Sequence, residues 1–326
     1  MSSQIISSHS SDSNAPSDLT RFLLPREAFD THVHVFDPAL GQYDAKRAYT
    51  PEDAPLKTLI AFNQSLSAEA RNSKLVLVQP SPYKTDCSVM MQCLQTLKDR
   101  DINAFGIAVL DLDNTTDAQL KEMHALGVRG IRLNFQADGK KVNTDKLVAA
   151  LVRTADRIQY LPGWVIQLFI PGQLWDYLHD KILELPVRII ADHLGGMRGS
   201  TKLPSELKSM STSQPGFESL LSLAKQSRVY VKISGLYRMS NCPASTFDDL
   251  QPIIQTFAQE IPDHIIWGSD WPHTGDGHNR TENTLKVKEP FRIIDNPAIL
   301  KMLQSWIGSD CYRKMLVDNP NRLYQK

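Results

Sequence analysis

Four side chains suited to acid–base or metal chemistry stand at the ends of three apolar, β-branched runs of the sequence. His32 and His34 end the first run, His193 ends the run PVRIIADH, and Asp270 ends the run HIIWGSD. Residues at i and i+2 of a strand point to the same side, so both histidines of this H-x-H pair would face one pocket. Imidazole and carboxylate groups that meet at one place suit a divalent metal site or general acid–base catalysis.

Eight apolar runs, separated by amphipathic stretches, are the elements that must position these groups. The runs cover residues 27–36, 74–80, 103–111, 127–135, 163–170, 186–193, 228–235 and 264–270. Parallel strands need long crossovers, so strands separated by helices predict parallel pairing. Eight units, with no G-x-G-x-x-G after the first strand, match a (β/α)8 TIM barrel better than an open sheet. In such a barrel the strand ends converge on one mouth.

The amphipathic stretches predict helices, because their apolar residues recur at i, i+3 and i+4. The clearest cover residues 88–100, 115–126, 144–158 and 247–261, and Thr116 is typical of a helix start. The longest irregular segments, 195–216 and 271–291, follow strands 6 and 8 and are candidate lids over the active-site face. We expect one barrel domain over residues 26–326, after a disordered Ser-rich tail over residues 1–25.

Composition and charge exclude several classes of protein. Lys plus Arg and Asp plus Glu number 36 each, so the chain lacks the basic excess that nucleic-acid binding needs. A hydrophobic fraction of 41% rules out disorder as the dominant state. The sequence shows no membrane-length apolar run and no secretory signal, and its four cysteines have no metal-type spacing. We predict a cytoplasmic monomer or homodimer that binds a small molecule, with no nucleic-acid or membrane partner.

Seven motifs, in order, resemble those of the amidohydrolase superfamily, in particular the branch of 2-pyrone-4,6-dicarboxylate lactonase and related sugar lactonases. They are THVHVFDP, VQPSPYKTD, VRGIRLNF, IADHLGG, VKISGLYR, WGSDWPHT and VDNPNRLY. The resemblance extends from about residue 26 to the C-terminus. It implies a (β/α)8 barrel, in agreement with the count of strand–helix units.

The resemblance also bears on metal binding. Metal-dependent superfamily members use ligands on strands 1, 4, 5, 6 and 8, but this chain has Arg129 and Arg132 on strand 4 and Gln167 on strand 5. Arginine stays protonated and can neither ligate a cation nor be carbamylated, which disfavours a binuclear centre. The lactonase branch is metal-independent, so we expect no required cofactor. The alternative is a single Zn²⁺ ion held by three ligands, namely His32, His34 and Asp270.

The candidate substrate-binding residues imply an anionic substrate. Arg129 and Arg132 lie three apart on a strand, so only one should point inward, where it would either form a structural salt bridge or bind substrate. In the lactonase branch, arginines on strand 4 and after strand 7 bind substrate carboxylates. The resemblance therefore implies that one of this pair, together with Arg238, binds a carboxylate of the substrate. Weaker candidates near the mouth are Tyr49, Ser81, Tyr83, Gln167, Tyr237 and His273.

We therefore expect a hydrolase that opens a small oxygenated, carboxylated lactone of the 2-pyrone or sugar-lactone type. Asp270 would act as general base on a water molecule, while His32, His34 and His193 polarise the carbonyl and stabilise the oxyanion. One alternative is non-oxidative decarboxylation of an aromatic or muconate-type acid, but Gln167 replaces the strand-5 histidine that such enzymes use. The other alternative is a non-catalytic binding barrel, which gives no reason for the H-x-H pair and the strand-8 aspartate.

Overall fold

The computed structural model describes residues 24–66, 73–136, 142–243, 246–275, 280–281 and 284–325. Nearly all of the predicted tail, and short pieces of the loop after strand 8, lie outside these ranges. Leu24, the first described residue, is buried in the hydrophobic core, and the predicted domain boundary stays a prediction.

Eight parallel strands form a single sheet in chain order, each inside one of the apolar runs. They are β1 Phe29–Val33, β2 Lys74–Val78, β3 Ala104–Ala108, β4 Val128–Asn134, β5 Val165–Phe169, β6 Arg188–Ala191, β7 Val229–Ile233 and β8 Ile265–Trp267. A parallel bridge between Val33 and Trp271 joins the two ends of the sheet. Beside it, the Asp270 N–H donates to the His32 carbonyl and the His34 N–H donates to the Trp271 carbonyl, both at 2.9 Å. The predicted (β/α)8 barrel is confirmed.

Helices fill the connections between strands, as predicted. They are α1 Leu56–Ser65, α2 Ser88–Asp99, α3 Asp117–Ala125, α4 Thr144–Ile158, α5 Leu174–Glu184, α6 Phe217–Lys225, α7 Leu236–Met239, α8 Gln251–Glu260, α9 Asn296–Arg313 and α10 Asn319–Tyr324. Thr116 starts α3 through a reciprocal capping box with Gln119. α8 begins four residues later than predicted, because a short 3-10 turn precedes it. No described helix is long and apolar enough to cross a bilayer.

The barrel interior is apolar at its N-terminal end and polar at its C-terminal end. Tyr324 of α10 closes the N-terminal end, and its ring stacks 6.1 Å from the ring of Phe29 and 5.8 Å from that of Phe105. Val76, Ile107 and other apolar side chains complete this floor. The polar groups inside the barrel are therefore concentrated toward the opposite end.

Two long loops follow β6 and β8, as predicted. The first consists of short 3-10 segments, Leu194–Gly196, Ser200–Lys202 and Ser205–Ser213. The second contributes a short strand, Lys288–Glu289, that pairs in parallel with Thr50–Pro51 from the connection after β1. This pairing ties the loops on either side of the β1–β8 junction together. Their role as lids stays a prediction.

Candidate active site

The H-x-H pair lies where β1 meets the segment that follows β8. Gly268 permits this close approach, because a Cβ atom at that position would lie 2.6 Å from the His32 Cβ. Both imidazoles are buried, and their ring centroids are 5.0 Å apart. The prediction that the two rings share one side of the strand is confirmed.

Asp270 is fixed at one carboxylate oxygen and free at the other. Arg238 Nε donates to Oδ2 at 2.8 Å, and the Tyr237 hydroxyl donates to the same atom at 2.7 Å. Oδ1 makes no hydrogen bond among the described residues and lies 3.6 Å from His32 Nε2 and 3.7 Å from His34 Nε2. Burial alone would raise the pKa of Asp270, but the Arg238 charge holds the pKa well below its usual range. Asp270 is therefore ionised at neutral pH, with one oxygen available to accept a proton.

His34 and His193 are held as neutral rings. His34 Nδ1 lies 2.7 Å from the Val78 carbonyl, and His193 Nδ1 lies 2.9 Å from Ser234 Oγ. Burial penalises the imidazolium form and lowers the pKa of each ring to about 4. Gly235 makes room for His193, since a Cβ atom there would lie 2.6 Å from Nδ1. Neutral imidazoles can donate at one nitrogen and accept at the other.

A buried lysine that the sequence analysis did not single out lies under His32. Lys232 Nζ donates to the Thr31 carbonyl at 3.0 Å and to Gln167 Oε1 at 2.8 Å. The same nitrogen lies 3.3 Å from both Asp192 Oδ1 and His32 Nδ1. Burial lowers the pKa of Lys232 to about 8, with Asp192 opposing the shift, so the side chain is mainly an ammonium ion at neutral pH.

Of the two strand-4 arginines, Arg132 lines the cavity at the barrel mouth and Arg129 does not. Arg132 is buried, with Nε 3.4 Å from Asp192 Oδ2. Arg129 instead donates to the backbone carbonyls of His124 and Val128, outside the barrel mouth. The structure thus corrects the inclusion of Arg129 among the candidate substrate-binding residues.

A cavity of about 1070 Å³ opens at the C-terminal end of the barrel. Seven of the predicted site residues line it: His34, Tyr49, Ser81, Arg132, His193, Arg238 and Asp270. Asn134, Arg198, Lys202, Asn241 and Arg280, among others, also line it and were not predicted, because they lie in or next to loops with no readable pattern. Five basic side chains face one acidic side chain along this lining, so the cavity favours anions.

Four other predicted substrate-binding residues, and the predicted catalytic residue His32, lie outside the cavity lining. The Tyr83 hydroxyl accepts the Asp37 backbone N–H at 2.9 Å. The Gln167 amide donates to Asp192 Oδ2 at 2.9 Å, so it belongs to the buried network around Lys232. His273 Nε2 lies 3.1 Å from Asn296 Nδ2. Tyr237 is also absent from the lining, although its hydroxyl reaches Asp270. The positions of these four residues argue against direct contact with the substrate.

Two overlapping residue sets bring possible metal-ligand atoms within 4.8 Å of one another. They are His32, His34 and Asp270, and His32, Asp192 and His193. Both sets depend on His32, whose Nδ1 atom is 3.3 Å from the Lys232 ammonium. The ammonium adds a positive charge beside the site and can only donate a hydrogen bond. These residues converge like metal ligands but do not fit a bound cation.

The chain is similar over almost its whole length to several known proteins. The profile of the amidohydrolase family matches residues 29–326. The 4-sulfomuconolactone hydrolase of Rhizobium radiobacter is 30% identical over 93% of this chain and 91% of that protein. The 2-pyrone-4,6-dicarboxylate hydrolase of Comamonas testosteroni is 29% identical over 93% and 92%. A Pseudomonas putida structure, described as a 2-pyrone-4,6-dicarboxylic acid hydrolase, superposes with a TM-score of 0.69 at 27% identity, covering 93% of this chain and 98% of that one.

Proposed function

Because the chain belongs to the amidohydrolase family, we propose that it hydrolyses a small oxygenated lactone that carries an acidic group. The observation that carries this proposal is the ionised Asp270, with Oδ1 bare, in a cavity lined by five basic side chains. Two similar proteins are named as hydrolases of a sulfonated and of a dicarboxylated lactone. Opening a lactone creates a further carboxylate, which such a cavity would also accommodate.

The nucleophile in this proposal is a water molecule held against Asp270 Oδ1. His32 Nε2 and His34 Nε2, 3.6 and 3.7 Å from that oxygen, flank the position and orient the water. As the water oxygen attacks the carbonyl carbon of the lactone, one of its protons passes to Oδ1. Arg238 and Tyr237 stay on Oδ2 and keep the carboxylate aimed at the water.

The negative charge that develops on the carbonyl oxygen needs donors on the opposite side. His193 supplies Nε2–H when Ser234 donates to its Nδ1. The terminal nitrogens of Arg132, which make no hydrogen bond to the described residues, are left for the acidic group of the substrate. When the tetrahedral intermediate collapses, the bond from the carbonyl carbon to the ring oxygen breaks. The ring oxygen then takes the proton from Asp270, and the product is an open-chain acid.

Substrate binding falls to the side chains whose donors are not already used. Arg238 is largely engaged, since it also donates to Thr274 and to the Gly275 carbonyl. We therefore propose that Arg132 binds the acidic group of the substrate, with Tyr49 and Ser81 as polar contacts at the rim of the cavity. The earlier assignment of Arg238 to substrate stays a prediction, limited to the one N–H that its contacts leave.

No metal or cofactor is required in this mechanism. The buried cations Lys232, Arg132 and Arg238 already offset the charges of Asp192 and Asp270. The decarboxylase alternative is not favoured, because Gln167 is bound within the Lys232 network. The predicted cytoplasmic location and monomeric or homodimeric state stay predictions.

A panel of carboxylated 2-pyrones, muconolactones and sugar lactones tests the function. The expected result is release of one acid equivalent per ring opened, with a loss of about 10³-fold or more in kcat for Asp270→Asn. Asp53→Asn, at an exposed ion pair with Lys288, is the matched control and should keep the wild-type rate. Binding without turnover across the panel would instead support the non-catalytic barrel.

A further inference from the structure

We infer that Lys232 keeps divalent metals out of the H-x-H site by holding the proton of His32 on Nε2. Lys232 is fully buried, and its Nζ atom lies within hydrogen-bond distance of His32 Nδ1. An ammonium group has protons to give and no lone pair, so Nδ1 must be the acceptor. A neutral imidazole then carries its single proton on Nε2, the nitrogen that faces Asp270.

The contacts of the ammonium group favour this arrangement. Gln167 gives its Nε2–H to Asp192, so its Oε1 faces Lys232 and accepts one ammonium proton. The Thr31 carbonyl accepts a second proton. Nζ is 3.3 Å from both His32 Nδ1 and Asp192 Oδ1, so its third proton can be shared between these two acceptors. His32 Nδ1 is 3.4 Å from Asp192 Oδ1, slightly farther than it is from the ammonium.

His34 carries its proton on the other nitrogen. Its Nδ1 atom is 2.7 Å from the Val78 carbonyl, which can only accept, so Nε2 has the lone pair. The two histidines therefore present one donor and one acceptor beside Asp270 Oδ1. A water molecule satisfies both, since it accepts from His32 and donates to His34 or Asp270. A metal ion needs a lone pair from each ring.

Removal of the ammonium should convert this arrangement into a metal site. In Lys232→Met, His32 Nδ1 can take the proton and donate it to Asp192 Oδ1, which turns the Nε2 lone pair toward His34 and Asp270. Carboxylate–histidine pairs of this kind support zinc ligands in many proteins, and such outer partners change metal affinity by about 10- to 100-fold. The inference goes beyond the proposed function and does not depend on it.

Metal content after equilibration with Zn²⁺ and dialysis tests the inference directly. The wild type should retain no stoichiometric zinc, whereas Lys232→Met should retain about one ion per chain and bind it about 10- to 100-fold more tightly. Substituting Co²⁺ should give visible absorption bands in the variant alone. Lys74→Met is the matched control, because Lys74 is another buried strand lysine and its partners are Glu27 and Asn321.

A double variant, Lys232→Met with His34→Gln, shows where the gained ion sits, since it should lose the zinc again. Stoichiometric zinc in the wild type would overturn the inference, as would a folded Lys232→Met that stays as metal-free as the wild type. Should that variant fail to fold, ¹⁵N NMR of histidine-labelled wild type decides the question, with His32→Gln to assign the resonance. The expected signal is the Nε2–H tautomer, and an Nδ1–H tautomer would refute the inference. Metal content and tautomer are measured without substrate, so the result stands apart from the lactonase assay.

Discussion

Removing one partner of the Arg238–Asp270 ion pair should destabilise the whole barrel. The Arg238 side chain is 15% exposed and that of Asp270 is 1% exposed, so the pair is largely shielded from water. Among the described residues, Arg238→Met would leave the Tyr237 hydroxyl as the one close donor to Oδ2 of the Asp270 carboxylate. Breaking a buried pair at one partner costs about 3–5 kcal/mol of the free energy of unfolding, because the remaining charge is uncompensated.

The double variant Arg238→Met with Asp270→Asn should recover part of that loss, because no unpaired charge remains. We expect the loss in the double variant to be smaller than the sum of the two single losses by roughly 2–3 kcal/mol, the upper end for contacting residues. Urea-induced unfolding followed by circular dichroism measures each corner of the cycle, and an unchanged m-value shows that stability alone has changed.

The Lys225–Glu260 pair is the control for this cycle. Its nitrogen and oxygen atoms are 2.6 Å apart, and its side chains are 50% and 47% exposed. More exposed pairs couple by about 0.2–1 kcal/mol, so this second cycle should be close to additive. Additive losses within about 0.5 kcal/mol at Arg238 and Asp270 would refute the argument that this pair holds the base in its ionised state.

Three further predictions concern pH, substrate charge and metal. His193 has a pKa of about 4 in the native state, below its ordinary value of 6.5, so the unfolded chain binds more protons and the free energy of unfolding should fall between pH 6.5 and 4. kcat/KM should be flat above this range and fall near pH 4; a midpoint near 6.5 would mean a solvated imidazole. Arg132→Met should weaken binding of a carboxylated lactone by about 10- to 100-fold and leave its methyl ester nearly unaffected, whereas equal effects on KM would make Arg132 structural. Activity should survive exhaustive chelation, and a loss that Zn²⁺ restores would contradict the metal-free mechanism.

The site residues at the strand ends could be predicted because the C-terminal ends of all barrel strands converge on one mouth. His32, His34, His193 and Asp270 all follow or end inward-facing strand positions, and all four meet as expected. Alternation also predicted that one strand-4 arginine would face inward. It could not say which, because both positions adjoin apolar neighbours and a bulge between β3 and β4 shifts the register there.

Residues outside the regular strands were harder to place. Tyr83 and His273 lie near the mouth in sequence, but local turns direct them to backbone and side-chain partners away from the cavity. Arg198 and Lys202 lie in 3-10 segments and loops, where no periodicity indicates direction. Lys232 did carry a signal, since a charged residue at the centre of the apolar run VYVKISG is costly to bury without partners.

Catalytic activity requires that the barrel is closed at the junction between β1 and β8. Thr31 and Trp267, which are hydrogen-bonded across it, are 236 positions apart in the chain. Asp270 and the H-x-H pair lie on opposite sides of this junction. A sheet that has not closed between β8 and β1 therefore has no active site. During refolding, enzyme activity should therefore appear last, after the far-ultraviolet signal of the helices has returned. In a mixture of closed and open molecules, the rate of turnover would give the fraction of molecules that are closed.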